Sequence, residues 1–155
     1  ALSFAFSSML YFDTALVVKL YHDEPESEIV WNFLRSNNET VAGSALLRPE
    51  FAAATHRKLR EKKLNEQEDV IRFLDTFNKR LQQGLIHLLP ITSAVLKHVD
   101  KVYATLPGDV YLRASDAVHL ATAAMEGFSA VHSNDRHLLA AAPYFHLRPV
   151  NPIAG

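Results

Sequence analysis

Two acids in this chain interrupt helical faces that are otherwise apolar. Glu50 shares a face with Leu46, Ala53 and Ala54, and Asp116 shares one with Leu112, Leu120 and Ala123. A buried, unpaired carboxylate costs several kcal/mol or is forced to take a proton. Neither stripe carries a Lys or Arg to cancel the charge. A divalent cation would do so, and a hard ion such as Mg²⁺ or Mn²⁺ takes oxygen ligands. Two further acids, Asp13 and Asp135, stand at or just past strand-like runs. Each acid taken alone has an ordinary explanation as a helix cap, a dipole acid in a first turn, or a partner of a neighbour such as Arg48 or Arg136. Convergence of all four on one edge is harder to explain that way.

The elements that would position these acids follow from hydrophobic period. Met9–Asp13, Thr40–Ala42, Ile86–Leu89 and Ala130–Ser133 read as short buried strands, with Leu147–Val150 as an edge strand. Helical patterns lie between them: Thr14–Tyr21, Glu26–Arg35, Ser44 to about Lys63, Asn65–Gln83, Thr92 to about Thr105, Arg113–Glu126 and His137–Ala142. Pro49 sits awkwardly in the third of these and marks a start or a kink. Asn65 with Glu68 resembles a capping box, and Gly127 ends its helix. Strands alternating with helices imply a parallel sheet covered on both faces. In such sheets the functional crevice opens beyond the carboxyl ends of the strands, where Asp13 and Asp135 fall.

Composition bounds the class. The chain has 155 residues, 48% apolar and 21% charged, enough for one hydrophobic core and close to a globular average. Ala and Leu supply 20 and 21 residues against 5 Gly, which favours helix. No run reaches the ~18 apolar residues of a spanning helix, so no membrane is expected. Zero Cys excludes disulfides, thiolate metal sites and a Cys nucleophile, and fits a reducing compartment. Ala1–Ser8 reads as a loose extension or cloning remnant before a single domain over 9–155. Net charge is −1, yet residues 56–80 hold 8 of the 16 Lys and Arg against 5 acids. Arg57, Lys58, Lys62 and Lys63 in that run are either a solvated helix end or a patch that tracks phosphate.

Four segments in order resemble one known family. F12-D13-T14-A15-L16-V17-V18-K19-L20-Y21 resembles the opening of PIN-domain nucleases, D-[ST]-S-A-L-V-K-L-Y. L112-R113-A114-S115-D116-A117-V118-H119-L120-A121-T122-A123 resembles the family's third-acid helix, and S133-N134-D135-R136-H137-L138 its T-x-D segment. Glu50 stands 37 residues after Asp13, where the family's helical Glu is expected. Within the family, length and style are most similar to VapC-type toxins of toxin–antitoxin pairs. The resemblance implies a three-layer α/β/α sandwich around a small, mostly parallel sheet. It also implies metal-dependent cleavage of RNA phosphodiesters, with Asp13, Glu50, Asp116 and Asp135 in the acidic positions. Asp13 and Asp116 would hold Mg²⁺ or Mn²⁺, Glu50 would hold or deprotonate water, and Thr14, Ser115 and Asn134 would support them by hydrogen bonds. A cytoplasmic homodimer, neutralised by a small antitoxin, is the implied setting. Ala15 replaces the family's usual Ser, and Ser133 its usual Thr; neither is an implied ligand.

The same residues admit other readings. Eight histidines invite zinc, but no H-E-x-x-H is present and His132, His137 and His146 are scattered. His119, one turn from Asp116, reads as a packing histidine or a donor to that acid. Val70, Phe73, Leu74, Phe77 and Leu81 form a stripe for the core or for a partner helix. Rival functions are a housekeeping RNA-processing nuclease and a non-catalytic RNA-binding or regulatory module. A module that had lost its chemistry should lack an acid, and all four are present.

Overall fold

The computed structural model describes residues 9–154, so the reading of Ala1–Ser8 lies outside the described residues. Strands β1 (Met9–Tyr11), β2 (Thr40–Ser44) and β3 (Ile86–Leu89) form one parallel sheet in the order β1-β2-β3. Strands β4 (Ala130–His132) and β5 (Arg148–Val150) form a parallel pair. A parallel bridge between Phe12 and His132 joins the two, with Asp13 N–H donating to the His132 carbonyl at 3.0 Å.

Alternation along the strands feeds two cores. Tyr11, Ala42, Leu89 and Val131 point to one face, Phe12, Val41 and Ile86 to the other. Helices α1 (Thr14–Tyr21), α2 (Ser27–Asn37), α3 (Leu47–Arg60) and α4 (Gln67–Gln82) cover the Phe12 face. Helices α5 (Ser93–Thr105), α6 (Ala114–Met125) and α7 (Arg136–Ala141), with a 3₁₀ turn at Ala142–Phe145, cover the Tyr11 face. This is the α/β/α sandwich expected from the sequence. The α4 stripe turns inward: Val70 and Phe77 are buried, and Phe77 stacks on Phe51 at 4.4 Å. Such a ring pair adds about 0.5–1.5 kcal/mol beyond its burial.

Several boundaries differ from the sequence reading for local reasons. Ser44 ends β2 instead of capping a helix, and α3 starts at Leu47. Pro49 therefore falls in the first turn, where its missing N–H is no loss and no kink is needed. The helix ends at Arg60, before Lys62 takes a left-handed φ of 61°. The capping box is Glu66 with Asp69, one residue later than expected. Asp69 is the better N3 acceptor because its carboxylate takes both the Asn65 and Glu66 N–H groups, at 3.1 and 3.0 Å. Gly127, at φ 85°, does follow α6.

Candidate active site

All four acids enter at helix N-termini. Asp13 is the N-cap of α1, its Oδ1 accepting from Leu16 N–H at 3.2 Å. Asp135 is the N-cap of α7, its Oδ1 accepting from His137 and Leu138 N–H at 2.8 and 3.2 Å. Glu50 and Asp116 lie in the first turns of α3 and α6. Parallel crossovers make this juxtaposition. Each strand ends and a helix begins at the same edge, so helix N-termini with their partial positive charge gather there. The capping explanation thus holds for Asp13 and Asp135 as a local fact, and the caps crowd together.

Ser133 ties the first and last acids. Its hydroxyl donates to Asp13 Oδ2 at 2.5 Å and accepts from Asp135 N–H at 2.9 Å. Asp13 is almost closed to solvent, and burial pushes its carboxyl up to about 6 despite the Ser133 bond. Asp116 is likewise raised, by burial first and then by the charge of Asp135. Its Oδ2 is buried and makes no hydrogen bond; the nearest cation is Arg113 Nε at 3.5 Å. The Arg113 guanidinium also reaches Asp135 Oδ2 at 3.2 Å.

Glu50 is held differently. His119 Nε2 lies 2.6 Å from its Oε1, and Thr14 Oγ1 donates to the same oxygen at 2.9 Å. Burial acts to raise Glu50, but the His119 ring and the Thr14 hydroxyl outweigh it, and its carboxyl lies below the usual range. His119 bonds Glu50 and Tyr11, not Asp116 as its spacing suggested. Two cationic or donor groups still reach the acids: Arg113, three residues before Asp116 at the cap of the same helix, and His119, which the fold brings to Glu50 across 69 residues. Tyr11, Arg113 and Ser133 carry parts of the site that the sequence reading did not assign. Their signal was weak: each reads locally as strand core, helix flank or strand end.

A cleft of about 720 Å³ opens over this edge, lined by Thr14, Glu50, Ser115, Asp116 and Asn134. Ser115 and Asn134 line the cleft, but among the described residues neither side chain makes the expected hydrogen bond to an acid. Arg57 and Arg60 form part of the rim, with Lys19 and Arg113. The rest of the expected basic patch is elsewhere engaged. Lys58 Nζ sits 2.5 Å from Glu24 Oε2, and Lys63 pairs with Glu61 at 3.2 Å. Lys62 and Lys63 do not line the cleft, because the helix has ended and the chain turns away at Lys62.

The donor set at this edge is all oxygen, and one carboxylate oxygen has no hydrogen bond, which suits a hard cation. Among the described residues, no three His, Asp or Glu side chains form a ready metal cage. Mg²⁺ is commonly held by one or two carboxylates and water, so two acids suffice.

The order of acids, the parallel sandwich and the N-terminal crevice define a class. A model of the PIN domain matches residues 10–143, and the chain belongs to that family. Among solved structures it is similar to VapBC2 from Rickettsia felis bound to a DNA fragment from their promoter, with TM-score 0.66 at 16% identity over 92% of this chain and 98% of that one. It is also similar to FitAcB from Neisseria gonorrhoeae, with TM-score 0.65 at 18% identity over 93% and 98% of the two chains. FitAB bound to an IR36 DNA fragment gives TM-score 0.62 at 19% identity over 93% and 95%. No curated protein matches the chain by sequence.

Proposed function

We propose that this protein is a metal-dependent endoribonuclease acting as the toxin of a toxin–antitoxin pair, active in the cytoplasm. The observation that carries the chemistry is Asp116: its Oδ2 is buried without a hydrogen bond, and the residue lines a cleft together with Glu50. The sequence resemblance to VapC-type toxins and the structural likeness to VapBC2 support the biological setting. That setting also brings a small antitoxin and a homodimer as partners.

In this reading Asp13 and Asp116 hold Mg²⁺ or Mn²⁺. The bound cation supplies positive charge that acidifies water and stabilises the charge developing on the attacked phosphate. Glu50, ionised and fixed by two donors, orients the attacking water and accepts its proton. Asp135 and Ser133 hold Asp13 in place. Arg57 and Arg60 sit on the rim, where phosphates flanking the scissile bond would lie, while Lys19 beside them is paired with Glu24 and Glu26. Thr14, Ser115 and Asn134 support the acids or the sugar–phosphate chain.

Purified protein should cleave single-stranded RNA with Mg²⁺ or Mn²⁺ and stop when a chelator is added. Cleavage that persists in chelator rejects the metal mechanism. Co-purification with the product of an adjacent small gene, and loss of cleavage in that complex, tests the toxin role.

A further inference from the structure

Tyr11 and His119 lie behind Glu50 and are closed to solvent, at 0% and 2% exposure. A position on β1 that only needed bulk would be served by Phe. Instead a hydroxyl and an imidazole are buried together, edge to face, with ring centroids 6.3 Å apart. Buried polar atoms are costly unless paired, so their partners show what the pair does.

The bonds run in one line. Ser44 N–H donates to Tyr11 Oη at 3.1 Å, Tyr11 Oη lies 3.0 Å from His119 Nδ1, and His119 Nε2 lies 2.6 Å from Glu50 Oε1. The two ends set the direction of every proton between them. A backbone N–H can only donate, and an ionised carboxylate can only accept. Tyr11 oxygen therefore accepts from Ser44, and its single proton goes to His119 Nδ1. That makes Nδ1 an acceptor, so the ring proton resides on Nε2 and is donated to Glu50. A neutral imidazole in one tautomer satisfies every atom of the line. A ring protonated on both nitrogens would give Tyr11 oxygen a second donor and leave its own proton with no other partner among the described residues.

We infer that Tyr11 and His119 are positioning residues that lock one neutral imidazole tautomer, aiming Glu50 into the cleft and leaving its negative charge uncancelled. This rests on the role proposed for Glu50. A carboxylate paired with an imidazolium would be a poorer proton acceptor, because the ion pair stabilises its charged form. A neutral donor fixes geometry at a smaller cost: hydrogen bonds still hold the carboxyl below its usual range, but no full countercharge is added. Thr14, donating to the same oxygen, leaves Oε2 free of any bond in this network.

The test pairs ring nitrogen spectroscopy with kinetics on the full chain. In histidine-labelled protein, His119 should show an unprotonated Nδ1 and a proton on Nε2, and Tyr11→Phe should abolish that pattern. Tyr11→Phe should lower kcat about tenfold to a hundredfold with KM within about twofold. His119→Gln keeps an N–H for Glu50 and should retain more turnover than His119→Leu. A wild-type ring protonated on Nδ1 overturns the lock. So does a Tyr11→Phe protein that melts lower but keeps the ring pattern and kcat per folded molecule. Equal turnover by Glu50→Gln and wild type would leave the relay nothing to position and reject it. If wild type cleaves no RNA with any metal while the ring pattern is present and Tyr11-dependent, the nuclease reading fails and the lock stands.

Discussion

Glu50 and Asp116 both enter the crevice from the first turn of a helix, yet their surroundings are opposite. Glu50 has two donors on one oxygen, and its carboxyl is held below the usual range. Asp116 has a buried oxygen with no hydrogen bond, an arginine at 3.5 Å and a carboxyl raised by burial. The Glu50 side is complete as folded. The Asp116 side is short of positive charge, and Arg113, more than half exposed, only partly supplies it. In the proposed reading, one acid keeps a fixed charge in a fixed place and the other receives a cation from solution. The same helix, α6, serves both sides through Asp116 and His119, one turn apart.

The comparison breaks most visibly in turnover. Asp13→Asn and Asp116→Asn should each lower cleavage about a thousandfold or more, whereas Asp100→Asn, on the exposed face of α5, should not. Equal loss in all three, measured on RNA under the same metal, would mean general destabilisation and no distinct site.

Stability sharpens it next. In chelator, Asp116→Asn removes a charge that is poorly paired and should melt about 3 °C or more above wild type. Mg²⁺ should then raise wild type more than the mutant, since only a ligand that prefers the native state stabilises it. Glu50→Gln, by contrast, removes a satisfied acceptor and should melt lower in chelator. Melts that fall for both variants would erase the difference between the two sides.

A smaller effect lies in pH. Asp13 has a folded value near 6, above the ordinary 3.8. The native state therefore binds the extra proton between about pH 4 and 6. Its ionisation penalty is absent below that window and fully present above it. In metal-free protein, the stability of wild type relative to Asp13→Asn should improve as pH falls from 7 to 4. A difference between the two that is flat with pH in thermal melts would show that Asp13 is not strained in its buried position.

The smallest expected effect is at the rim. Arg57→Gln with Arg60→Gln should weaken binding of an uncleavable RNA and flatten its salt dependence, while Lys62→Gln with Lys63→Gln should change both less. Equal changes in the two pairs, read from binding isotherms at several salt concentrations, would return the whole basic run to a diffuse charged surface.

Much of this was legible in the sequence. The short apolar run before Asp13, and the repeats of three and four in α4 and α6, are local consequences of where water must be excluded. They were enough to order strands and helices and to mark Glu50 and Asp116 as acids out of place. Asp13 and Asp135 were visible because a polar residue that ends an apolar run must be a cap, a ligand or both. What remained hidden was each acid's partner. Tyr11 meets His119 across 108 residues, His119 meets Glu50 across 69, and Ser133 meets Asp13 across 120. Periodicity reports which face of an element is buried, not which distant side chain waits there. Lys58 read the same as Arg57 until the fold brought Glu24 to it. The sequence by itself determined the elements, the sandwich and the four acids. Only the tertiary structure decided which acid is held by hydrogen bonds and which is left short of positive charge, because those bonds exist only after parallel crossovers bring separate helix N-termini to one edge.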